Sequence, residues 1–359
     1  MTRTATHEIA PVDPRDDMYA REGEYFDYDP TSWRVFEHGD ARVIASDTGK
    51  LLCHVVRNAI PKALCDLGVE CFMDAGRVVS TNRGTAAGMS HRTRSEKGNY
   101  ERGMPSNSGI VGYMDSLRHD RPCRLTAFSR KYFDTYTRGV EFIRAINACF
   151  ARTVPDAHAA QLTQASKTEF RIADTAFSTV TVNLDFRTAL HRDSGDFPGG
   201  FGNLVVCSYN IEGGHLLFPR YRVAIKVRTG DYLAMNVHEW HCNSPITKST
   251  PDAYRLSFVC YLRARMHKCD EVNRRIREQG AMDAASICRR IFELAQEPLP
   301  EKREIGVGPQ GIPWWEYDGQ RVKILYRNKT YTLFDKTRGI KIANLWPALE
   351  YMQEHGESG

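Results

Sequence analysis

Six short segments decide the fold: Thr179-Val-Thr-Val-Asn183, Asn203-Leu-Val-Val-Cys-Ser-Tyr209, His215-Leu-Leu-Phe218, Arg222-Val-Ala-Ile-Lys-Val227, Asp231-Tyr-Leu-Ala-Met-Asn-Val237 and Tyr254-Arg-Leu-Ser-Phe-Val-Cys-Tyr-Leu262. Each is rich in β-branched or aromatic residues. Turn formers separate them at Pro198-Gly-Gly, Glu212-Gly-Gly, Arg228-Thr-Gly and Asn243-Ser-Pro. Regularly spaced strands with this punctuation predict an antiparallel sandwich or barrel.

The flanks have a different texture. Ile60, Leu64, Leu67 and Phe72 recur at close to the helical period, as do Tyr132, Tyr136, Val140, Ile143, Ile146 and Phe150. A further helix is expected around 157–165, and helical spacing returns over 266–296. The class is therefore α+β, with helices packing on the strand-rich core from both sides. Residues 1–55 read as polar and irregular, with short apolar runs at Val43-Ile-Ala45 and Leu51–Val56.

Two stretches are basic. Arg77, Arg83, Arg92, Arg94, Lys97 and Arg102 face only Glu96 and Glu101 in a segment of Gly, Ser, Thr and Asn that is too polar for a core. From Gly306 the composition changes again. Trp314-Trp-Glu-Tyr, Arg321-Val-Lys-Ile-Leu-Tyr and Thr330-Tyr-Thr-Leu-Phe predict a hairpin with a closing helix over 345–354. The chain is thus expected to divide into a domain over 1–300 and a small basic appendage over 306–359. Within the first, residues 1–175 form an N-terminal helical and basic-loop region, residues 176–263 the jelly-roll core and residues 264–300 supporting helices.

Composition sets the outer limits. The 359 residues are 42% hydrophobic and 26% charged, which excludes disorder as a description of the whole chain. No run of about 18 apolar residues could span a bilayer, and no apolar run follows the early Arg3, so neither a membrane span nor a secretory signal is expected. Ten cysteines never form a Cys-x-x-Cys pair, which argues against zinc ribbons and redox dithiols. Free thiols in a reducing, cytoplasmic compartment are the expectation. The net charge of +5 permits a polyanionic partner without requiring one.

The chemistry lies in His191-Arg-Asp193, His241 and Arg255-Leu-Ser257. Two imidazoles and a carboxylate occupy one face of an Fe(II) octahedron and leave three positions open, the requirement of a non-haem iron oxygenase. His191 and Asp193 at i and i+2 point the same way from an extended segment. Fifty residues and about four strands later, His241 can return to the same barrel mouth. Arg255 follows on a strand with Ser257 on the same face. A guanidinium there can hold the distal carboxylate of 2-oxoglutarate bidentately. Asn183 and Arg187 are candidates for the other end of that co-substrate.

His38-Gly-Asp40 with His91 matches the same spacing. Its context rejects it, because a helix and a polar loop intervene and no strand carrying Arg-x-Ser follows. His238 falls on the opposite strand face from His241, and His215 reads as lining the barrel, so neither is taken as a ligand.

Over residues 175–263 these features resemble the Fe(II)/2-oxoglutarate dioxygenase superfamily, and within it the TET/JBP-like nucleic-acid-base oxygenases. The shared elements are His191-Arg-Asp193 followed by Asp196, Gly213-Gly-x-Leu-x-Phe-Pro219, Gly230-Asp231, His241-x-x-x-Pro245 and Arg255-x-Ser257. Ser106-Asn-Ser-Gly-Ile-Val-Gly-Tyr113 looks like the segment before the core in phage-type members. The resemblance implies a double-stranded β-helix (jelly-roll) enzyme that flips a 5-methylpyrimidine out of DNA and hydroxylates its methyl group. His191, Asp193 and His241 would bind Fe(II), and Arg255 and Ser257 would bind the 2-oxoglutarate C5 carboxylate.

Asp196 matches an acidic or amide residue set against the cytosine amino group, which favours 5-methylcytosine, taken to 5-hydroxymethylcytosine, over thymine. Arg263 stands where TET-like enzymes tend to place a base-contacting histidine, which leaves thymine as the alternative. A substrate other than nucleic acid is a further alternative, and a jelly-roll binding module without turnover another. Arg83, Arg92 and Arg94 are expected to grip the DNA backbone. The working form is expected to be a monomer in a bacterial or phage-infected cell.

Overall fold

The computed structural model describes residues 4–89, 104–115 and 123–271, and the backbone of five strands between 304 and 344. The chain divides into two compact units, residues 1–115 with 123–269, and residues 116–122 with 270–359. The change of unit thus falls at Asp270, ahead of the boundary expected near residue 300.

In the first unit the core strands alternate between two sheets. The larger is ten-stranded among the described residues, with central order Leu51–Val56, Tyr232–Met235, Gly202–Tyr209, Tyr254–Tyr261, Thr179–Leu184 and Ser106–Met114. The smaller runs Cys242–Asn243, Leu216–Phe218, Val223–Ile225 and Arg34–Phe36. The short bridge between His191 and His241 extends this smaller sheet past Cys242. Chain order switches sheet at almost every turn, which is the path of a jelly roll.

Side-chain alternation explains why these segments pair as they do. Leu204 and Val206 face the sandwich interior with Leu216, Phe218, Val223, Leu233 and Met235. Their neighbours Val205 and Cys207 face the other way, into a second core shared with the helices. A central strand buried on both faces reads as a near-continuous apolar run, as Leu204–Cys207 does, and the buried Asn203 beside it is satisfied by hydrogen bonds to the Phe201 and Cys260 carbonyls and from the Tyr232 hydroxyl.

The helical layer is built from Lys62–Gly76 and Phe133–Thr153, backed by Pro155–Ala165. Its two long members meet through a reciprocal pair of glycines. A Cβ on Gly68 would lie 2.8 Å from the Phe142 ring, and one on Gly139 would overlap Phe72. Phe142 continues to Phe258 of the larger sheet, with ring centroids 4.8 Å apart. The helices expected around Phe72, Phe150 and residue 160 are all present.

Several expectations are corrected. The N-terminal runs are ordered strands: Ala5–Ile9, Ala41–Ala45 and Leu51–Val56 extend the larger sheet. Ala5–Ile9 forms the sheet edge, and its sequence carries a single buried residue, Ile9, so it offers no strand pattern to read. The cysteines are not all free, since Cys123 and Cys269 form a disulfide with Cα atoms 5.5 Å apart. Seven other described cysteines are buried thiols. A partner 146 residues away leaves no local spacing signal.

The second unit is a five-stranded antiparallel meander, Glu304–Val307, Pro313–Tyr317, Gln320–Arg327, Thr330–Asp335 and Ile340–Asn344, where a single hairpin was expected. The closing helix over 345–354 and the helical pattern beyond Glu271 lie outside the described residues. No described helix is long and apolar enough to cross a membrane.

Candidate active site and metal centre

The bridge between His191 and His241 fixes the site. Each residue's N–H donates to the other's carbonyl, at 3.0 and 3.1 Å, so two segments fifty residues apart are paired side by side. Asp193 is held two residues on by its N–H bond to the Val237 carbonyl at 2.9 Å. The result places one potential ligand atom from each of His191, Asp193 and His241 within 4.8 Å of one another. It is the one such cluster of three or more metal-ligating side chains among the described residues.

Hydrogen bonds settle which nitrogen each imidazole offers. His191 Nδ1 lies 2.8 Å from the Ala189 carbonyl, and His241 Nδ1 lies 2.9 Å from the Glu239 carbonyl. A carbonyl can only accept, so each Nδ1 carries the proton and each Nε2 keeps its lone pair. The two Nε2 atoms lie 3.7 and 3.8 Å from the two Asp193 carboxylate oxygens. Burial, and then the neighbouring His191, push the His241 pKa down to about 4, which keeps that ring neutral and ready to ligate at neutral pH. Two imidazoles and one carboxylate fit a divalent first-row metal with open positions.

The anchor lies in the same cavity, of about 360 Å³, lined by His191, Asp193, Asp196, His241, Arg255 and Ser257 among others. Arg255 is only 4% exposed, and burial lowers its pKa to about 10, so the guanidinium remains cationic at neutral pH. Its guanidinium makes no hydrogen bond to another described residue, which leaves its nitrogens available to a carboxylate. Gly214 makes room for it. With φ at +64° and an imagined Cβ only 2.7 Å from Arg255 Nε, that position admits no other residue without displacement.

The other sequence candidates divide. Asn183 lines the cavity and accepts a hydrogen bond from Ser108. Arg187 does not line it. Its guanidinium is turned to the Phe26 carbonyl and Asp27, both at 2.7 Å, so its expected contact with 2-oxoglutarate is replaced by a structural one. Arg83 reaches the cavity wall, donates to the Gly109 carbonyl at 3.3 Å and leaves its buried Nε without a partner. Arg92 and Arg94 lie outside the described residues.

Asp196 is buried on the cavity wall, and its main chain pairs with that of Arg263. Burial, and then the Asp193 charge, hold its carboxyl pKa well above the usual range. Arg263 donates through Nε to Asp115 at 2.6 Å. His238 bonds the Phe197 carbonyl at 3.1 Å and does not join the ligands. His215, expected to line the barrel, is buried with its N–H donating to Ser244 Oγ at 2.9 Å and its Nε2 beside the Tyr28 hydroxyl, and it is not among the residues that line the cavity. His38 of the rejected alternative is exposed beside Glu37.

Sequence reasoning missed three contributors. Asp115 carries no motif. The wall Asn82–Ala86 belongs to a stretch that reads as solvated loop, yet it is pinned to the core by the Ala189 N–H bond to the Ala86 carbonyl at 2.9 Å. Gly214 is visible in the Gly-Gly pair, but its steric reason is not.

A jelly roll with a His-Asp-His face and a buried arginine in one cavity defines the 2-oxoglutarate- and iron-dependent oxygenases. Residues 109–264 match the family Tet_JBP, the oxygenase domain of the 2OGFeDO superfamily. Residues 109–264 are thus similar to a TET/JBP oxygenase domain, and the cofactors of that superfamily, Fe(II) and 2-oxoglutarate, fit the residues just described.

The bifunctional helicase and thymine dioxygenase JBP2 of Leishmania braziliensis is 34% identical over 163 residues, 45% of this chain and 15% of that protein. JBP2 of Trypanosoma cruzi is 31% identical over 228 residues, 62% of this chain and 20% of that one. Thymine dioxygenase JBP1-A of Trypanosoma cruzi is 35% identical over 166 residues, 45% of this chain and 20% of that protein. The chain thus spans a fifth or less of the length of these relatives. Among solved structures, NgTET1 in complex with 5mC DNA is similar at 14% identity and a TM-score of 0.43, covering 66% of this chain and 84% of that one.

Proposed function

We propose that this chain oxidises the 5-methyl group of a pyrimidine in DNA, converting 5-methylcytosine to 5-hydroxymethylcytosine, with further oxidation of the same carbon as an extension. The observation that carries the reading is the convergence of His191, Asp193, His241 and Arg255 on one cavity whose wall also presents Asp196.

When bound, iron with 2-oxoglutarate and O2 supplies an oxidant able to take hydrogen from an unactivated C–H bond, with succinate and CO2 as co-products. The chain's residues do the rest. His191 and His241 present Nε2, with each Nδ1–H donating to a backbone carbonyl. Arg255 and Ser257 orient the dicarboxylate by its far end, so that its other end faces the three ligands. Asp196 offers an acceptor to the exocyclic amine of cytosine. A base stacked in a duplex cannot reach a metal held by the buried His191 and His241, so the reading includes extrusion of the target nucleotide.

Thymine is the second reading. It is favoured by the thymine dioxygenases among the relatives and by Arg263, a permanent donor that suits the thymine O4 acceptor. The test is incubation with Fe(II), 2-oxoglutarate and air, using CpG-methylated and unmethylated duplexes, followed by digestion to nucleosides and mass spectrometry. 5-Hydroxymethylcytosine from the methylated duplex alone supports the first reading. 5-Hydroxymethyluridine from both duplexes replaces it with the second. Succinate release with neither product overturns DNA as the substrate.

A further inference from the structure

Asp185 follows the strand Thr179–Leu184 and sits in the left-handed region, with φ at +52°, where few residues other than glycine and asparagine settle. The position is held from two sides. Its N–H donates to the Arg255 carbonyl at 2.9 Å, and its Oδ1 accepts from the Arg255 N–H at 2.7 Å. Both main-chain polar groups of Arg255 therefore end on this one residue. The second carboxylate oxygen, Oδ2, pairs with Lys248 Nζ at 2.6 Å.

Lys248 belongs to the small two-stranded sheet of Ile211–Gly213 and Ile246–Lys248. That sheet leads directly into Gly214, the glycine that lies against the Arg255 stem. Arg255 is thus framed twice, by Asp185 on its main chain and by Gly214 on its side chain, and the Lys248 ion pair ties the two frames together.

We propose that Asp185 is a positioning residue for the dicarboxylate co-substrate. It fixes the main chain of Arg255 so that the guanidinium enters the cavity at the depth the far carboxylate requires, and it links this anchor to the two-stranded sheet beside it. The inference rests on the reading of Arg255 as the 2-oxoglutarate anchor. An aspartate fits because it combines a short acceptor for the Arg255 N–H with tolerance of the left-handed backbone. Asparagine keeps both properties and loses only the ion pair. Glycine keeps the backbone and loses the acceptor. Alanine loses the acceptor and is strained as well.

The test is anaerobic titration of the Fe(II)-loaded full-length protein with 2-oxoglutarate, followed by calorimetry, beside a separate Fe(II) titration. Asp185→Gly and Asp185→Ala are expected to weaken 2-oxoglutarate binding by about tenfold or more, equivalent to about 1.4 kcal/mol, with Asp185→Asn close to wild type. Fe(II) binding should be unchanged in all three. Wild-type 2-oxoglutarate affinity in Asp185→Gly overturns the proposal and leaves Asp185 a strand cap. So does a loss of Fe(II) binding in step with that of 2-oxoglutarate, which marks general loosening. If wild-type protein holds Fe(II) and binds no 2-oxoglutarate, the reading of Arg255 itself has failed.

Discussion

Gly214 shows how one missing methylene holds a charged group in place. Adding a Cβ there puts it 2.7 Å from Arg255 Nε and 2.8 Å from its Cδ, at a backbone angle that already disfavours any side chain. Gly214→Ala should cost roughly 1–3 kcal/mol through the angle alone and push the guanidinium from its seat. The expected result is a modest fall in Tm with a large loss of 2-oxoglutarate affinity, read by thermal melting and calorimetry on the same protein. Asp115 acts similarly on Arg263. Its removal leaves a largely buried guanidinium without its hydrogen-bonded carboxylate, at a cost of about 3–5 kcal/mol, visible as a lower denaturation midpoint for Asp115→Ala. Asp196→Ala should retain Fe(II) binding and lose discrimination between 5-methylcytosine and thymine, measured by competition between the two duplexes. Of these residues the ligands and Arg255 were legible in the sequence, because their spacing encodes a path around a barrel. Asp115 and Asp185 were not, since a residue that bonds another's main chain or fixes its side chain leaves no motif of its own.

At the scale of elements, the larger sheet needs the helical layer because its outer face is apolar. Phe142 links the two, touching both Phe258 and the Gly68 cleft. Phe142→Ala should therefore cost about 3–5 kcal/mol, and Gly139→Ala about 1–3 kcal/mol by overpacking against Phe72. Urea melts of both variants check this, with an unchanged m-value if only the native state is affected. The helices were readable because Ile143, Ile146 and Phe150 repeat at the period of a helix face. The N-terminal strands were not, because Ala41-Arg-Val-Ile-Ala45 sets apolar residues side by side and is too short to show the strand period. Asn82–Ala86 failed for the opposite reason, since a polar segment looks solvated even when its polar groups line a cavity.

For the molecule as a whole, the Cys123–Cys269 bond closes a ring that contains every core strand from Thr179 to Tyr261. In the chain-entropy view a loop of this size contributes of order 5 kcal/mol by restricting the unfolded chain. Addition of reductant should accordingly lower Tm, with Cys123→Ser reproducing the shift and becoming insensitive to reductant. The five-stranded meander over 304–344 was only partly visible, since the basic and apolar residues of its inner strands alternate as a strand should while its outer strands, Glu304–Val307 and Ile340–Asn344, are only four and five residues long.

The paired main chains of His191 and His241 have a kinetic consequence. Neither hydrogen bond between them can form until the strands from Gly202 to Met235 have traced their circuit, so the ligand face assembles only when this fifty-residue loop closes. Trp240, fully buried beside His241, marks the same closure in fluorescence. In a stopped-flow refolding experiment on a variant that keeps Trp240 as its one tryptophan, Co(II) capture should lag the early helical signal and coincide with burial of Trp240, making metal uptake a clock for closure of that loop.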